Sequence, residues 1–390
     1  MTSLDARAPA IRRCPWRHGR SRRCGRPENR AGGFHPFSRP ADGVTVRLVA
    51  GDTDERLTSD TTTTGRRRIE ELDVIRGFAL CGIHVVNVYQ QVVFSELFGD
   101  QPGLGVTVMP AIVRYGFYER FLPVFTLLFG VGFAIFLASA GSRIERPRVV
   151  LARRLAVLAG FGVLHQVAHP GEALLPYAVF GLVILLPASF LRPRWALAVG
   201  LVLLLLGAQT VAGYGVMPGL LVVGYALVGI GVADALGRQT RRWVLAAAML
   251  GAVTIAYWAS VAVGIHLPRL SFGATSLPSQ LAGVVTGLFY VCLVVLALRT
   301  PAGSVLRWAL APMGRMALTN YLLATAFILV LSPILAIDGL DDWPAIVALV
   351  VGIIVAEIVA SRVWLARFRF GPAEWLWRCA TWWEMAPLRR

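Results

Sequence analysis

The chain has 390 residues, 56% of them hydrophobic, and a mean hydropathy of +0.64. Soluble domains hold roughly 45–50% apolar residues, and runs of about 17–25 apolar residues, each able to cross a ~30 Å hydrocarbon core, recur along this chain; the soluble classes are excluded. The net charge of +16, carried by arginine with no lysine anywhere, reads as the excess that marks cytoplasmic ends of membrane spans, not as a nucleic-acid surface.

Residues 1–68 are basic and rich in Pro and Gly, as in "RRCPWRHGRSRRCGRPENR", and show no apolar periodicity. Such a stretch is expected to be a disordered tail. It lacks the apolar stretch of a secretory leader. Its composition is also what translation from a start codon upstream of the true one produces. Cys14, His18 and Cys24 fit no common metal finger, and no C-x-x-C occurs. Neither a metal site nor a disulfide framework is expected.

Ten spans are expected next, over 73–94, 119–140, 151–168, 173–191, 195–212, 219–236, 243–264, 279–298, 315–335 and 344–365. Alternate connections hold the arginines: Arg143, Arg146, Arg148, Arg153 and Arg154, then Arg192 and Arg194, then Arg238, Arg241 and Arg242, then Arg299 and Arg307. The opposite set holds Glu96, Asp100, Glu172, Asp338, Asp341 and Asp342, with Arg114, Arg120 and Arg269 as exceptions. Excess arginine stays inside, which puts both termini in the cytoplasm. The fold class is therefore an all-α polytopic membrane protein of the plasma membrane, with about ten transmembrane helices in one bundle over 69–366. The last residues, 367–390, set Trp375, Trp377, Trp382 and Trp383 among Arg367, Arg369 and Arg378. That mixture suits a short helix at the headgroup level; a soluble docking tail is the alternative.

The first span carries unusual side chains. At ~100° per residue, Asp73, Arg76, His84, Asn87 and Gln91 fall on one face roughly 80° wide. A charge at a bilayer centre costs about 2.5–3.5 kcal/mol, so the stripe must face protein or a water-filled cavity. Asp73 and Arg76 stand i,i+3 and can pair, either as an anchor of the helix end or as part of a pocket. His84 and Asn87 lie deeper and need partners, in packing or in a pocket. In the second span, Gly130 and Gly132 are expected to let helices approach.

His165, His169 and Glu172 follow at i, i+4 and i+7. Pro170-Gly171 should break the helix before Glu172, which argues against one metal-binding face. His165 facing a carboxylate is a candidate general base, and His169 is expected to be a solvated loop residue. Arg315 marks the inner end of the ninth span, with Thr319, Asn320 and Tyr321 just beyond. Glu357 stands alone in the tenth, with Arg315 its expected partner on depth. An intramembrane acid is a functional candidate by default.

The segments "RIEELDVIRGFALCGIHVVN", "FLPVFTLLFGVGFAI", "ARRLAVLAGFGVLH…GEALLPYAVFG", "GRMALTNYLL" and "FGPAEWLWR" run in order from Arg68 to Arg378. In them the chain resembles the YeiB-like family of bacterial membrane proteins, also called domain of unknown function 418. That family is grouped with transmembrane acyltransferases of the heparan glucosaminide acetyltransferase type. Those proteins share an Arg-Gly near the start of the first core span and an Asn eleven residues after the Arg, and Arg76, Gly77 and Asn87 match that spacing. The resemblance implies a catalytic His in the loop after that span. Here no histidine lies between Asn87 and His165, and His165 is the nearest substitute.

The leading expectation is acyl transfer across the membrane. An acyl donor such as acyl-CoA would approach the inner face, no cofactor being tightly bound. His165 and Glu172 would deprotonate a carbohydrate or lipid acceptor at the outer face. Asn87 would hold the carbonyl oxygen, and Asp73, Arg76, His84, Arg315, Asn320 and Glu357 would contact substrate. A small-solute transporter and a non-catalytic scaffold are the alternatives. The sequence sets no oligomeric state, and a homodimer is compatible with it.

Overall fold

The computed structural model describes residues 54–97, 111–210, 214–231, 239–263, 277–337 and 342–390; in the first helix, side chains are described over 70–91. The basic tail with Cys14, His18 and Cys24 lies outside these residues. So do the connecting positions of Asp100, Arg238, Arg269, Asp338 and Asp341.

The described chain is helical, with one isolated antiparallel bridge between Phe368 and Arg389. Helix α1 spans Asp54–Leu97, beginning ahead of the boundary expected at 68. A short α2 (Ala111–Gly116) leads to α3 (Phe121–Gly141) and α4 (Pro147–Gln166). Helix α5 (Leu174–Ala188) contains a π-helical turn at Gly181–Leu185; α6 (Pro193–Gly207) and α7 (Met217–Gly229) follow. Then come α8 (Thr240–Ala262), α9 (Leu277–Ala297), α10 (Gly303–Arg315), α11 (Ala317–Ile334), α12 (Trp343–Arg367) and α13 (Pro372–Trp382).

Six of these are long and apolar enough to cross a membrane: Glu70–Gln91 of α1, α3, α8, Pro278–Ala297 of α9, α11 and α12. The protein is a multi-pass membrane protein. The other four expected spans each contain a helix of a different kind. Helices α5, α6 and α7 are apolar but shorter. Proline in the first turn of α6 and α7 sets their starts, because its φ suits that position and its missing N–H is not needed there; both helices end before the expected boundary. Helix α4 carries Arg148, Arg153 and Arg154 in its first turns.

Small residues bring the helices together. A Cβ on Gly77 would strike the Leu310 carbonyl, and one on Gly314 the Asp73 carbonyl, so α1 and α10 touch backbone to backbone. Helix α10, amphipathic and 13 residues long, lies where a connection was expected. Gly130 and Gly224 dock α3 on α7 in the same manner. Gly132 does not: a Cβ there would stand 3.8 Å from an Arg76 nitrogen, facing open space instead of a neighbouring helix.

Helix α12 separates its two faces cleanly. Val347, Val351, Val355, Val359 and Val363, each about half exposed, form an outward ridge at i+4 spacing, while Ile346, Leu349, Ile353, Glu357 and Ser361 are buried. An apolar ridge open to the surroundings is what lipid requires. Helix α1 is the hub, in contact with α3, α9, α10, α11 and α12.

Candidate functional site

A cavity of about 660 Å³ follows α1 from Leu72 to Gln90, walled by α3, α4 and α11. Along α1 this is ~27 Å at 1.5 Å per residue, close to a full hydrocarbon thickness. Its waist is apolar. Leu80 and Ile83 face Leu128, Phe129 and Phe133 of α3 and Leu155 and Leu158 of α4. Tyr177 and Tyr321 also line it, but their hydroxyls are engaged, with Thr126 Oγ1 at 2.9 Å and with the Ala173 N–H at 3.2 Å.

One end is rich in arginine. Arg76 donates to Asp73 Oδ1 at 2.9 Å. Arg154 stacks 3.6 Å over the Trp377 ring and 5.1 Å from Phe136, and has no carboxylate within ion-pair distance among the described residues. Arg315 also lines this end and reaches the Arg369 carbonyl at 3.4 Å. Glu374 lines the wall too, but its carboxylate is occupied. It accepts from the backbone of Leu318 (2.7 Å) and Thr319 (3.1 Å) and from Thr319 Oγ1 (2.5 Å), capping the first turn of α11. Burial raises its pKa, against these hydrogen bonds.

The other end is built around histidine. Helix α4 stops at Gln166, and Gly171, at φ +79°, turns the chain so that Glu172 opens α5. The Glu172 carboxylate accepts the N–H groups of Leu174 (2.6 Å) and Leu175 (2.7 Å). It also stands 3.3 Å from His165 Nδ1. An ionised carboxylate only accepts, so Nδ1 donates to it; a neutral His165 then accepts at Nε2 from Thr325 Oγ1, 3.0 Å away. That leaves Thr325 Oγ1 to accept from His169 Nδ1 at 3.5 Å. In that arrangement a neutral His169 donates from Nδ1 and carries no proton on Nε2. His169 is 1% exposed and lines the cavity, and its Nε2 has no partner among the described residues. Burial, the largest cause, pushes its pKa down to about 4, so it is neutral at physiological pH. Asn87 lines the same end, 5% exposed, with Nδ2 also unpartnered among the described residues.

The expected site thus divides. Asp73, Arg76, Asn87 and Arg315 line the cavity. His165 and Glu172 stand behind its wall, supporting His169, which is buried rather than solvated. His84 leaves the expected single-faced stripe: it follows Ile83 by ~100°, which turns it onto α12. There its Nε2 meets Glu357 Oε2 at 2.8 Å, both residues fully buried. Glu357 therefore pairs with His84 and not with Arg315. Asn320 donates to the Met313 carbonyl and to Ser361, tying α10, α11 and α12 together outside the cavity. Gln91 is off the wall as well, and Gln90 takes its place. Arg154, His169, Glu119 and Gly132 line the cavity without having been expected there. The i,i+4 spacing of His165 and His169 was the signal for the histidine pair. Among the described residues, no group of three or more His, Cys, Asp or Glu could hold a metal ion.

Comparison with known proteins gives one family. The model for "Protein of unknown function (DUF418)" matches residues 229–384. An uncharacterized 39.9 kDa protein of the amylase 3' region in Bacillus acidopullulyticus is 32% identical over 82% of this chain and 96% of its own length. The chain belongs to the YeiB-like DUF418 family. Two further relatives, the uncharacterized proteins YeiB of Escherichia coli K12 and YxaH of Bacillus subtilis 168, are 25% and 26% identical; each aligns over at least 80% of this chain and at least 95% of its own. The family match begins at Gly229 and so takes in α8 to α13, whereas α1, α3 and α4, which form most of the cavity wall, lie before it.

Proposed function

We propose that this DUF418 protein is an integral-membrane acyltransferase, moving an acyl group from a donor bound at the arginine end to an acceptor entering at the histidine end. The reading rests on one observation. The side chains of Asn87 and His169 line one cavity, and among the described residues the buried Asn87 Nδ2 and His169 Nε2 have no hydrogen-bond partner. That cavity continues to three arginines. Buried polar groups are normally paired, and these two match what acyl transfer needs: a donor for the developing oxyanion and a base for the attacking group.

The donor is an acyl-CoA or similar thioester. Its phosphates meet Arg76, Arg154 and Arg315, whose forked N–H groups suit such oxygens. Its extended arm follows the waist along α1, and the thioester carbonyl oxygen accepts from Asn87. The acceptor oxygen or nitrogen attacks the carbonyl carbon and the C–S bond breaks. His169 takes the acceptor proton and returns it to the leaving sulfur. His165 and Glu172 hold His169 in its basic tautomer through Thr325. Helices α4 to α7 complete the expected ten-span bundle in the plasma membrane, with both termini and the arginine end on the cytoplasmic side and α13 at the interface.

A solute pathway is the rival reading, since the cavity reaches both polar ends. Purified protein in nanodiscs, given radiolabelled acetyl-CoA and a mixture of sugar and lipid acceptors, should release free thiol. Absence of thiol release, with labelled solute accumulating in proteoliposomes, would favour transport.

A further inference from the structure

We propose that Glu119 binds the acceptor, accepting a hydrogen bond from a hydroxyl of a carbohydrate-like polyol at the histidine end of the cavity; this rests on the acyl-transfer reading.

Glu119 precedes α3 with a φ of +60°, in the left-handed region that costs an L-residue roughly 1–2 kcal/mol. Such a conformation persists only where the surroundings over-determine it, and these positions cluster at functional sites. Here they do over-determine it. The carbonyls of Glu119 and Arg120 seat against Gly283 and Gly287 of α9, where any Cβ would collide. Arg120 lies 4.7 Å over the Trp258 ring and donates to the Tyr118 carbonyl. The backbone is thus clamped, and the carboxylate is delivered to the cavity wall.

Structure alone does not account for that carboxylate. Gln280 Nε2 donates to Oε1 at 3.0 Å. Among the described residues, Oε2 has no hydrogen bond and Glu119 has no ion pair. Burial raises its pKa, against the Arg120 charge and the Gln280 hydrogen bond.

The company it keeps defines the ligand. Asn87 and Gln90 bring amides and Tyr118 a phenol, groups that both donate and accept, beside the rings of Phe117 and Phe121, while the Tyr214 hydroxyl donates to the Gly171 carbonyl. A sugar presents hydroxyls that donate and accept, and an apolar C–H face that covers a ring. A hydroxyl donating to a carboxylate makes a short, strong bond. In the reaction the attacking hydroxyl forms the new C–O bond and loses its proton to His169, which returns it to the leaving sulfur. Glu119 holds a neighbouring hydroxyl and is unchanged.

The test is calorimetric titration of the full chain in nanodiscs with D-glucose, and with cyclohexanol as the single-hydroxyl control. Wild type should bind glucose saturably and cyclohexanol not. Glu119→Gln should weaken glucose about tenfold, the worth of one hydrogen bond to a charged group, while acetyl-CoA affinity is unchanged. Glu119→Gly, which suits the positive φ, should keep the thermal midpoint and also lose glucose. No saturable glucose binding in wild type, equal binding of cyclohexanol, or unaltered glucose affinity in both variants would overturn the proposal. Glu119-dependent glucose binding without any thioester consumption would sustain the sugar site and overturn acyl transfer.

Discussion

At the scale of single residues the account turns on His169. Its Nε2 faces no protein partner among the described residues, while Thr325, His165 and Glu172 fix its other nitrogen. Replacing it by Ala should cost on the order of 10²–10⁴ in turnover, as for a general base, measured as thiol release from acetyl-CoA. Asn87→Ala should cost on the order of 10²–10³. The depressed pKa sets a pH signature. An unfolded imidazole binds its proton near 6.5 and the folded one near 4, so between those values the unfolded state holds more protons. Stability should therefore fall as pH drops from 6.5 toward 4 and be flat above. His169→Gln should flatten that slope in thermal melts, whereas an unchanged slope would place the titration elsewhere. The sequence pointed to His165 as a histidine facing a carboxylate and the first histidine after Asn87, and placed His169 in a solvated loop. In the structure the turn folds back under Tyr321 and Thr325, and burial at that point depends on α11, more than 150 residues away in the chain. Glu357 was legible as a buried acid needing a partner, but choosing His84 over Arg315 required knowing how α1 is rotated against α12.

At the scale of helices, two glycines one position apart from sharing a face make opposite predictions. Gly130 seats on the Leu221 carbonyl, and Gly132 faces the cavity beside Arg76. Gly130→Leu should destabilise by at least about 1–3 kcal/mol, as overpacking does. Gly132→Leu should leave the melting midpoint near wild type yet block donor binding. Equal loss of stability in both would remove the cavity from the account. Glu374→Ala should cost about 1 kcal/mol, the size of a lost helix cap, by freeing the first turn of α11. Apolar periodicity made the helices themselves legible from the sequence. The amphipathic α10 was missed because its 13 residues, with Arg307 inside and Arg315 at the end, read as a charged connection. Helices α5, α6 and α7 are apolar but end before the expected boundaries of their spans.

At the scale of the whole molecule, the cavity links two chemically different ends along ~27 Å of α1, and the proposed direction of transfer puts the arginine end inside. Trp383 is exposed at the end of α13. A single cysteine there should react with an impermeant maleimide in inverted vesicles and not in right-side-out ones. The reverse pattern would invert the proposed direction of transfer. The valine ridge of α12 faces outward, so Val355→Arg should impair insertion by about 2.5–3.5 kcal/mol, whether or not substrate is present. Bundle class and the polar character of α1 could be read from the sequence, but the cavity could not, because it is the space left between α1, α3, α4 and α11. The most direct test is an experimental structure with a non-hydrolysable acetyl-CoA analogue. The account predicts continuous density along α1, with phosphates at Arg76, Arg154 and Arg315 and the carbonyl analogue beside Asn87 and His169. An empty cavity at saturating analogue, or an acyl end lying away from His169, would contradict it.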